Sequence, residues 1–291
     1  MVIARRMERT IARETEVRGV GFFLGHDVSM RFQPAPAGSG VVFVRVDLPG
    51  RPAVRACIDN VAHTPRRTTI RQGEATVELV EHVMAALAGL RIDNCLIEID
   101  APEAPGLDGS SLAYVQALQD AGVVELDRPR EVLVIKTPLA LGEGSAALSV
   151  LPMAGEASCV LSYHLDYGAG TPIGAQSLTL AINPTSFADE LAASRTFVLE
   201  AEALALRQAG IGRRASESDL LIFGKDGVVG NTLRWPDECV RHKMLDMVGD
   251  LALLERDIVG HVVAHRSGHQ HNAALVRALV RANETPERRA V

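Results

Sequence analysis

His242, Asp246 and Asp250 are spaced four residues apart. In a helix, positions i and i+4 lie one above the other, so all three would rise on one face. An imidazole and a carboxylate one turn apart can bind the same ion, and zinc takes both donor types, usually in tetrahedral geometry. A solvated polar stripe is the plainer reading of that helix alone. A second pair, Glu81-His82, opens another helical pattern. Adjacent helical positions diverge by about 100°, so the two side chains cannot ligate from one direction. They can share a water, with His82 on the metal and Glu81 on the water. Two histidines and one carboxylate give a catalytic zinc three protein ligands and leave a position open. Taken singly, Glu81 is also an anion suited to a first helical turn, and His82 an ordinary partly buried imidazole. Ser267-Gly268-His269 adds a histidine in a turn, where glycine frees the backbone and the ring can project into a cleft. Amide cleavage needs such a second acid/base group to protonate the departing nitrogen. His261, His265 and His271 show no comparable pattern.

The elements that would position these groups are readable from periodicity. Val28 to Gln33 alternates polar and apolar, and Val41 to Val46 is rich in β-branched residues, so both read as strands. Glu78 to Leu90 switches to helical spacing through Val80, Val83, Met84 and Leu87, and Leu96 to Ile99 is the next strand. Leu112 to Ala121 is a second helix, with Gly122 as its C-cap. Asp127-Arg128-Pro129-Arg130 is polar and carries a proline, which marks a linker over 127–131 between domains at 1–126 and 132–291. Strands are expected at Val132 to Ile135, Ala147 to Leu151 and Cys159 to Tyr163, and a largely helical stretch over Ala192 to Gln208. Arg241 to Leu254 is a strong amphipathic helix, followed by a strand at Ile258 to Ala264 and a closing helix at Ala273 to Arg281. The helices HVMAALAGL and HKMLDMVGDL begin 160 residues apart, each followed by a strand, a turn and another helix. A duplicated unit would produce that order. The expected fold is therefore α+β, with two similar layered halves packed together.

Composition narrows the classes of function. The chain has 291 residues, 47% of them hydrophobic and 23% charged, an ordinary globular balance. A formal charge of −6 argues against general nucleic-acid binding, which needs surplus Lys and Arg. It leaves room for one anionic ligand in a locally basic pocket. Cys57, Cys95, Cys159 and Cys239 are far apart with no CxxC pair, so buried, reduced thiols in a cytoplasmic protein are expected. The N-terminal stretch lacks the apolar core of a secretory signal, and no run of about 18 apolar residues exists to span a bilayer.

Read together, VEHVMAALAGLRIDN (80–94), SRTF (194–197), VRHKMLDMVGDL (240–251) and SGH (267–269) resemble the signature set of the UDP-3-O-acyl-N-acetylglucosamine deacetylase family, in order and spacing. Similarity extends through GVGFFLG (19–25), RFQPAPAGSGVVFVR (31–45) and the APE…DGSS stretch (101–111), covering nearly the whole chain. The resemblance implies a metal-dependent amidohydrolase of lipid A biosynthesis that releases acetate from a nucleotide sugar carrying an acyl chain. It implies His82, His242 and Asp246 as zinc ligands, Fe(II) being compatible with the same donors. Glu81 matches the general base. His269, held by Asp250, matches the second acid/base residue. Lys243 and Thr196 match residues near the reacting carbonyl, Phe197 one that packs on substrate, and Tyr167, loosely, an aromatic against uridine. Lys243 and Arg266 are further expected near phosphate. An insertion at about 195–229 would form the acyl passage, with Leu220, Leu221, Ile222 and Phe223 as candidate lining. A monomer is expected. The chain departs from the family at Phe22 and Phe23, over residues 210–216, and at Thr69, where some members carry a cysteine; these departures bear on the acyl and nucleotide contacts. Alternatives are a relative that deacylates another amide-bearing sugar, or a binding protein that has kept the fold. Retention of Glu81 beside a full ligand set speaks against the latter.

Overall fold

The structure, a computed structural model, describes residues 6–63, 65–153 and 158–283. The first half runs through β1 (Met7–Ile11), β2 (Thr15–Val20), β3 (Asp27–Pro34), β4 (Val41–Arg45), β5 (Ala53–Arg55), β6 (Val61–Ala62), β7 (Thr69–Gln72), β8 (Ala75–Glu78), α1 (Glu81–Gly89), β9 (Cys95–Ile99) and α2 (Leu112–Ala121). After β10 (Val123–Pro129) come β11 (Val132–Val134), β12 (Leu139–Glu143), β13 (Ala146–Leu151), β14 (Cys159–Leu165), β15 (Gln176–Ile182) and the short α3 (Pro184–Ser186). The chain then forms β16 (Phe197–Leu199), α4 (Glu200–Gln208), β17 (Leu221–Gly224), β18 (Gly227–Val229), α5 (Glu238–Ala252), β19 (Asp257–His265) and α6 (His269–Asn283).

The duplication is visible in the sheets. One has the order β2-β3-β9-β4-β5, the other β12-β13-β19-β14-β15 with β11 added on β19. Both follow the same sequence of pairings: antiparallel, antiparallel, parallel, antiparallel. In each half a helix (α1, α5) leads into the central strand (β9, β19) and a second helix (α2, α6) follows. Alternation places Val28, Met30 and Phe32 of β3, and Cys95, Ile97 and Ile99 of β9, in the core. Ala146, Leu148 and Val150 of β13 and Val262 and Ala264 of β19 do the same in the second half. Full burial of each large side chain contributes about 1.5–3 kcal/mol.

The stretch expected to link the halves is partly structured: residues through Pro129 end β10, which pairs with β1 across the register Met7↔Pro129 to Ile11↔Val123. Beside it, Arg6 donates to Asp93 of the first half at 2.6 Å and to Asp257 of the second at 2.7 Å. Residues 192–208 are less helical than their composition suggests, with β16 preceding α4, because Phe197 to Leu199 pair in parallel with Leu221 to Phe223. Gly122 does cap α2, with φ +74° that favours glycine. The four cysteines are free as expected, but only Cys95 and Cys239 are buried; Cys57 and Cys159 are half-covered.

The halves meet where α1 crosses α5. Gly249 sits at the crossing, and a Cβ there would overlap the carbonyl oxygen of Glu81. The backbone carbonyl is fixed within α1 and cannot swing aside, so Gly249→Ala must push the helices apart. Overpacking of this kind costs about 1–3 kcal/mol. Urea unfolding of Gly249→Ala should show a loss of that size.

Candidate active site

Glu81 and His82 are the first two residues of α1, and His242, Asp246 and Asp250 lie along α5. All five are at most 3% exposed. The crossing sets the rings of His82 and His242 edge to face, with centroids 5.0 Å apart. Asp246 Oδ1 lies 3.6 Å from His82 Nε2 and 3.3 Å from His242 Nε2. One donor atom from each of the three residues falls within 4.8 Å of the others.

Their protonation shows what this triangle fits. His242 Nδ1 lies 3.1 Å from the carbonyl of Ser194, which can only accept, so the ring hydrogen belongs on Nδ1. Burial lowers the His242 pKa to about 3, a fall that the nearby Asp246 opposes and does not reverse. The neutral ring therefore turns a lone pair toward a carboxylate oxygen. Asp246 itself is held well below the usual carboxylate range: burial opposes this, but His242, Lys243 and His269 outweigh it. A lone pair of His242 and an ionised Asp246 converging beside the His82 ring in a buried site fit a divalent cation.

Glu81, one residue away, stands outside the triangle; its Oε2 accepts the backbone N–H of Thr68 at 2.9 Å. Burial raises its pKa. His269 Nε2 stands 3.8 Å from Glu81 Oε1 and 3.8 Å from Asp246 Oδ2. On the far side its Nδ1 donates to Asp250 Oδ2 at 2.9 Å. Burial alone would lower the His269 pKa, but Asp250, Glu81 and Asp246 raise it to about 9. Asn272 also donates to Asp250 Oδ2, at 2.9 Å. His269 is the first residue of α6 rather than part of a free turn, and the left-handed backbone falls on Arg266, φ +51°, not on Gly268.

These groups open into a cavity of about 420 Å³, a size that suits a small-molecule ligand. Its polar end holds Glu81, His82, Thr196, His242, Lys243, Asp246 and His269. Lys243 Nζ donates to Asp246 Oδ2 at 2.6 Å. Phe197 faces His242 and Tyr167, with ring centroids at 6.2 and 5.8 Å. Thr196 is fixed through its backbone, its N–H on the Gly109 carbonyl at 2.7 Å and its own carbonyl on Leu221. Next to it, buried Arg195 pairs with Glu238 at 2.8 Å, pinning this loop to the start of α5. Arg266 does not line the cavity; it faces Asp166 at 3.7 Å.

The other end is apolar, with Phe22, Phe23, Leu79, Val198, Leu206 and Ile222 among its walls. Of the four candidates in the insertion, Leu220 and Ile222 reach the cavity, while Leu221 and Phe223 point into the core, as strand alternation requires. The turn bearing Phe22 and Phe23 is held by buried Glu103, which accepts the N–H groups of Phe23 and Leu24 at 2.7 and 2.8 Å. Thr69, singled out from the sequence, lies in β7; its neighbour Thr68 is the one that reaches the site, its hydroxyl on Asp250. Thr68 and Asn272 carried no spacing signal that would have marked them.

A buried two-histidine, one-carboxylate cluster at the junction of duplicated α/β halves, with a carboxylate and a His–Asp pair beside it, defines a metal-site hydrolase. The family described as UDP-3-O-acyl N-acetylglycosamine deacetylase matches residues 8–281. The chain belongs to that family. Relatives named UDP-3-O-acyl-N-acetylglucosamine deacetylase include one from Bdellovibrio bacteriovorus, 39% identical over 94% of this chain and 89% of the relative. Those from Solibacter usitatus and Thermosynechococcus vestitus are each 38% identical over 94% of this chain, covering 92% and 93% of the relatives.

Removing a metal ligand should cost more affinity than the roughly 10- to 100-fold typical of losing an outer partner. Metal analysis after dialysis should therefore find one divalent cation per wild-type chain and almost none in His82→Ala or Asp246→Ala.

Proposed function

We propose that this chain hydrolyses the N-acetyl group of UDP-3-O-acyl-N-acetylglucosamine, releasing acetate and leaving a free amine for lipid A synthesis. The observation that carries this reading is the convergence of His82, His242 and Asp246 beside Glu81 and His269 in one cavity with a polar and an apolar end. His82, His242 and Asp246 would hold Zn2+, Fe(II) suiting the same donors. The bound cation supplies Lewis acidity to a water and to the amide carbonyl.

The remaining chemistry is done by the chain's own groups. Glu81 takes a proton from the attacking water as its oxygen bonds to the carbonyl carbon. Burial raises the Glu81 pKa, which brings a carboxylate closer to the working range of a general base. The Thr196 hydroxyl and the protonated ring of His269 face the developing oxyanion, where preorganised donors contribute most of the rate. The carbon–nitrogen bond breaks as a proton reaches the nitrogen, from His269 or from Glu81. Asp250 keeps His269 charged and turns its Nε2 toward the cleft. Lys243 stands at the same end, and Phe197 and Tyr167 give flat faces to the sugar or uracil.

The apolar end suits the acyl chain. The fatty acid on the substrate explains why a site for a charged nucleotide sugar should continue between Phe22, Phe23, Leu206 and Ile222. This reading divides the chain into two halves at about 127–131, just where β10 ends, with the catalytic groups between them and 195–229 as the acyl passage. No helix among the described residues is long and apolar enough to cross a membrane. This reading carries with it a cytoplasmic location, with the acylated substrate met at the membrane surface or extracted from it.

The central test is acetate release by Glu81→Ala. The variant should keep its zinc and lose activity by about 100-fold or more, the scale of general-base catalysis. Full activity without Glu81 would discard the mechanism. The passage is tested with Leu220→Gln. An unpaired amide against an alkyl chain should raise KM for the acylated substrate by roughly tenfold and leave turnover of the unacylated nucleotide sugar unchanged.

A further inference from the structure

Glu81 and His269 come from separate elements, yet both are tied to one residue with no part in the chemistry above. Thr68 precedes β7 and is 4% exposed. Its N–H donates to Glu81 Oε2 at 2.9 Å, and its hydroxyl lies 2.5 Å from Asp250 Oδ1 and 3.2 Å from His269 Nδ1. A hydroxyl has one proton and two lone pairs, and an ionised carboxylate only accepts. The hydroxyl proton therefore goes to Asp250, which leaves the oxygen as an acceptor toward the ring. Nδ1 must then carry a hydrogen, shared between Thr68 Oγ1 and Asp250 Oδ2 at 2.9 Å. This leaves Nε2 facing the cleft, 3.8 Å from Glu81 Oε1.

We propose that Thr68 is a positioning residue that fixes the base and the second acid/base group relative to each other, its amide holding Glu81 and its hydroxyl setting the orientation of Asp250 and His269. This rests on the roles given to Glu81 and His269 above. Thr68 is not among the residues that line the cavity, so its loss should change the reactive arrangement and not substrate affinity. In Thr68→Val the amide stays and the shape is kept, but Asp250 Oδ1 loses its donor and the ring loses one of its two acceptors. Asp250 is then held only through Oδ2, by Asn272 and His269, and the pair can tilt about that oxygen.

The test compares steady-state acetate release and metal content in wild type, Thr68→Val, Thr68→Ser and Glu81→Ala. Small misplacements of reacting groups cost up to about 100-fold. Thr68→Val should therefore lower kcat by about 10- to 100-fold, with KM within about twofold of wild type and the metal retained. Thr68→Ser, which restores the hydroxyl, should recover most of the loss. If Thr68→Val does not fold, Thr68→Ala is read in the same way. The proposal is overturned if kcat of the valine variant stays within about twofold of wild type, if serine is as impaired as valine, or if the loss falls on KM. An inactive Glu81→Ala beside an unimpaired Thr68→Val defeats this proposal alone. An active Glu81→Ala defeats the reading of the site on which it rests.

Discussion

Everything catalytic in this chain depends on how closely two helices from different halves approach. His82 belongs to α1, and His242 and Asp246 to α5, so no local sequence can bring them together. The contact is possible because α5 presents a bare backbone at Gly249 to the carbonyl of Glu81. That carbonyl belongs to the residue whose side chain is the proposed base. Helix packing and site geometry are therefore one constraint, since any residue that spread the helices would separate the histidines and move the carboxylate at once. Interiors do not absorb such displacements smoothly, because they are close-packed.

The same convergence creates an electrostatic difficulty that the neighbours answer. Glu81, Asp246 and Asp250 are carboxylates taken almost wholly out of water, which is costly for any charge left unpaired. Lys243 pairs with Asp246, and His269 lies between Asp250 and Glu81. Three negative and two positive groups leave an excess of one negative charge, with the neutral ring of His242 beside it. A divalent cation reverses that excess to one positive charge, which suits a site where an oxyanion must form. Thr68 and Asn272 add uncharged donors, so that Asp250 is neutralised by hydrogen bonds as well as by charge.

Much of this was legible in the sequence, and for identifiable reasons. The helical spacing of His242, Asp246 and Asp250 is a local property, and so is the doublet Glu81-His82. The repeat of a histidine-led amphipathic helix before a strand pointed to duplicated halves, and the matching sheet orders agree with it. What periodicity does not encode is which strand partners which. Residues 197–199 read as helix because Phe197, Val198 and Leu199 precede a true helical run, and only pairing with β17 extends them. Thr68 and Asn272 are ordinary polar residues whose importance comes from Asp250, distant in sequence. His269 is marked by its residue type, but its sequence setting suggests a turn, because a glycine before a histidine looks the same whether a loop or a helix follows.

The two ends of the cavity are joined by how the insertion is fastened. Its base is pinned by the buried pair Arg195–Glu238 next to Thr196, at the reactive end. Farther out, Arg66 meets Glu202 of α4 at 2.8 Å, and Arg214 meets Asp27 at 2.9 Å, both exposed pairs between the insertion and the first half. Exposed pairs contribute little, about 0–1 kcal/mol each, whereas breaking a buried one costs several kcal/mol. The insertion is thus held firmly beside Thr196, at the end proposed to stabilise an oxyanion, and loosely at the end proposed to admit an alkyl chain. A polar group has to be placed to within fractions of an ångström to act on a transition state, while an apolar wall has only to exclude water. The gradient of anchoring along the cavity follows that difference in tolerance.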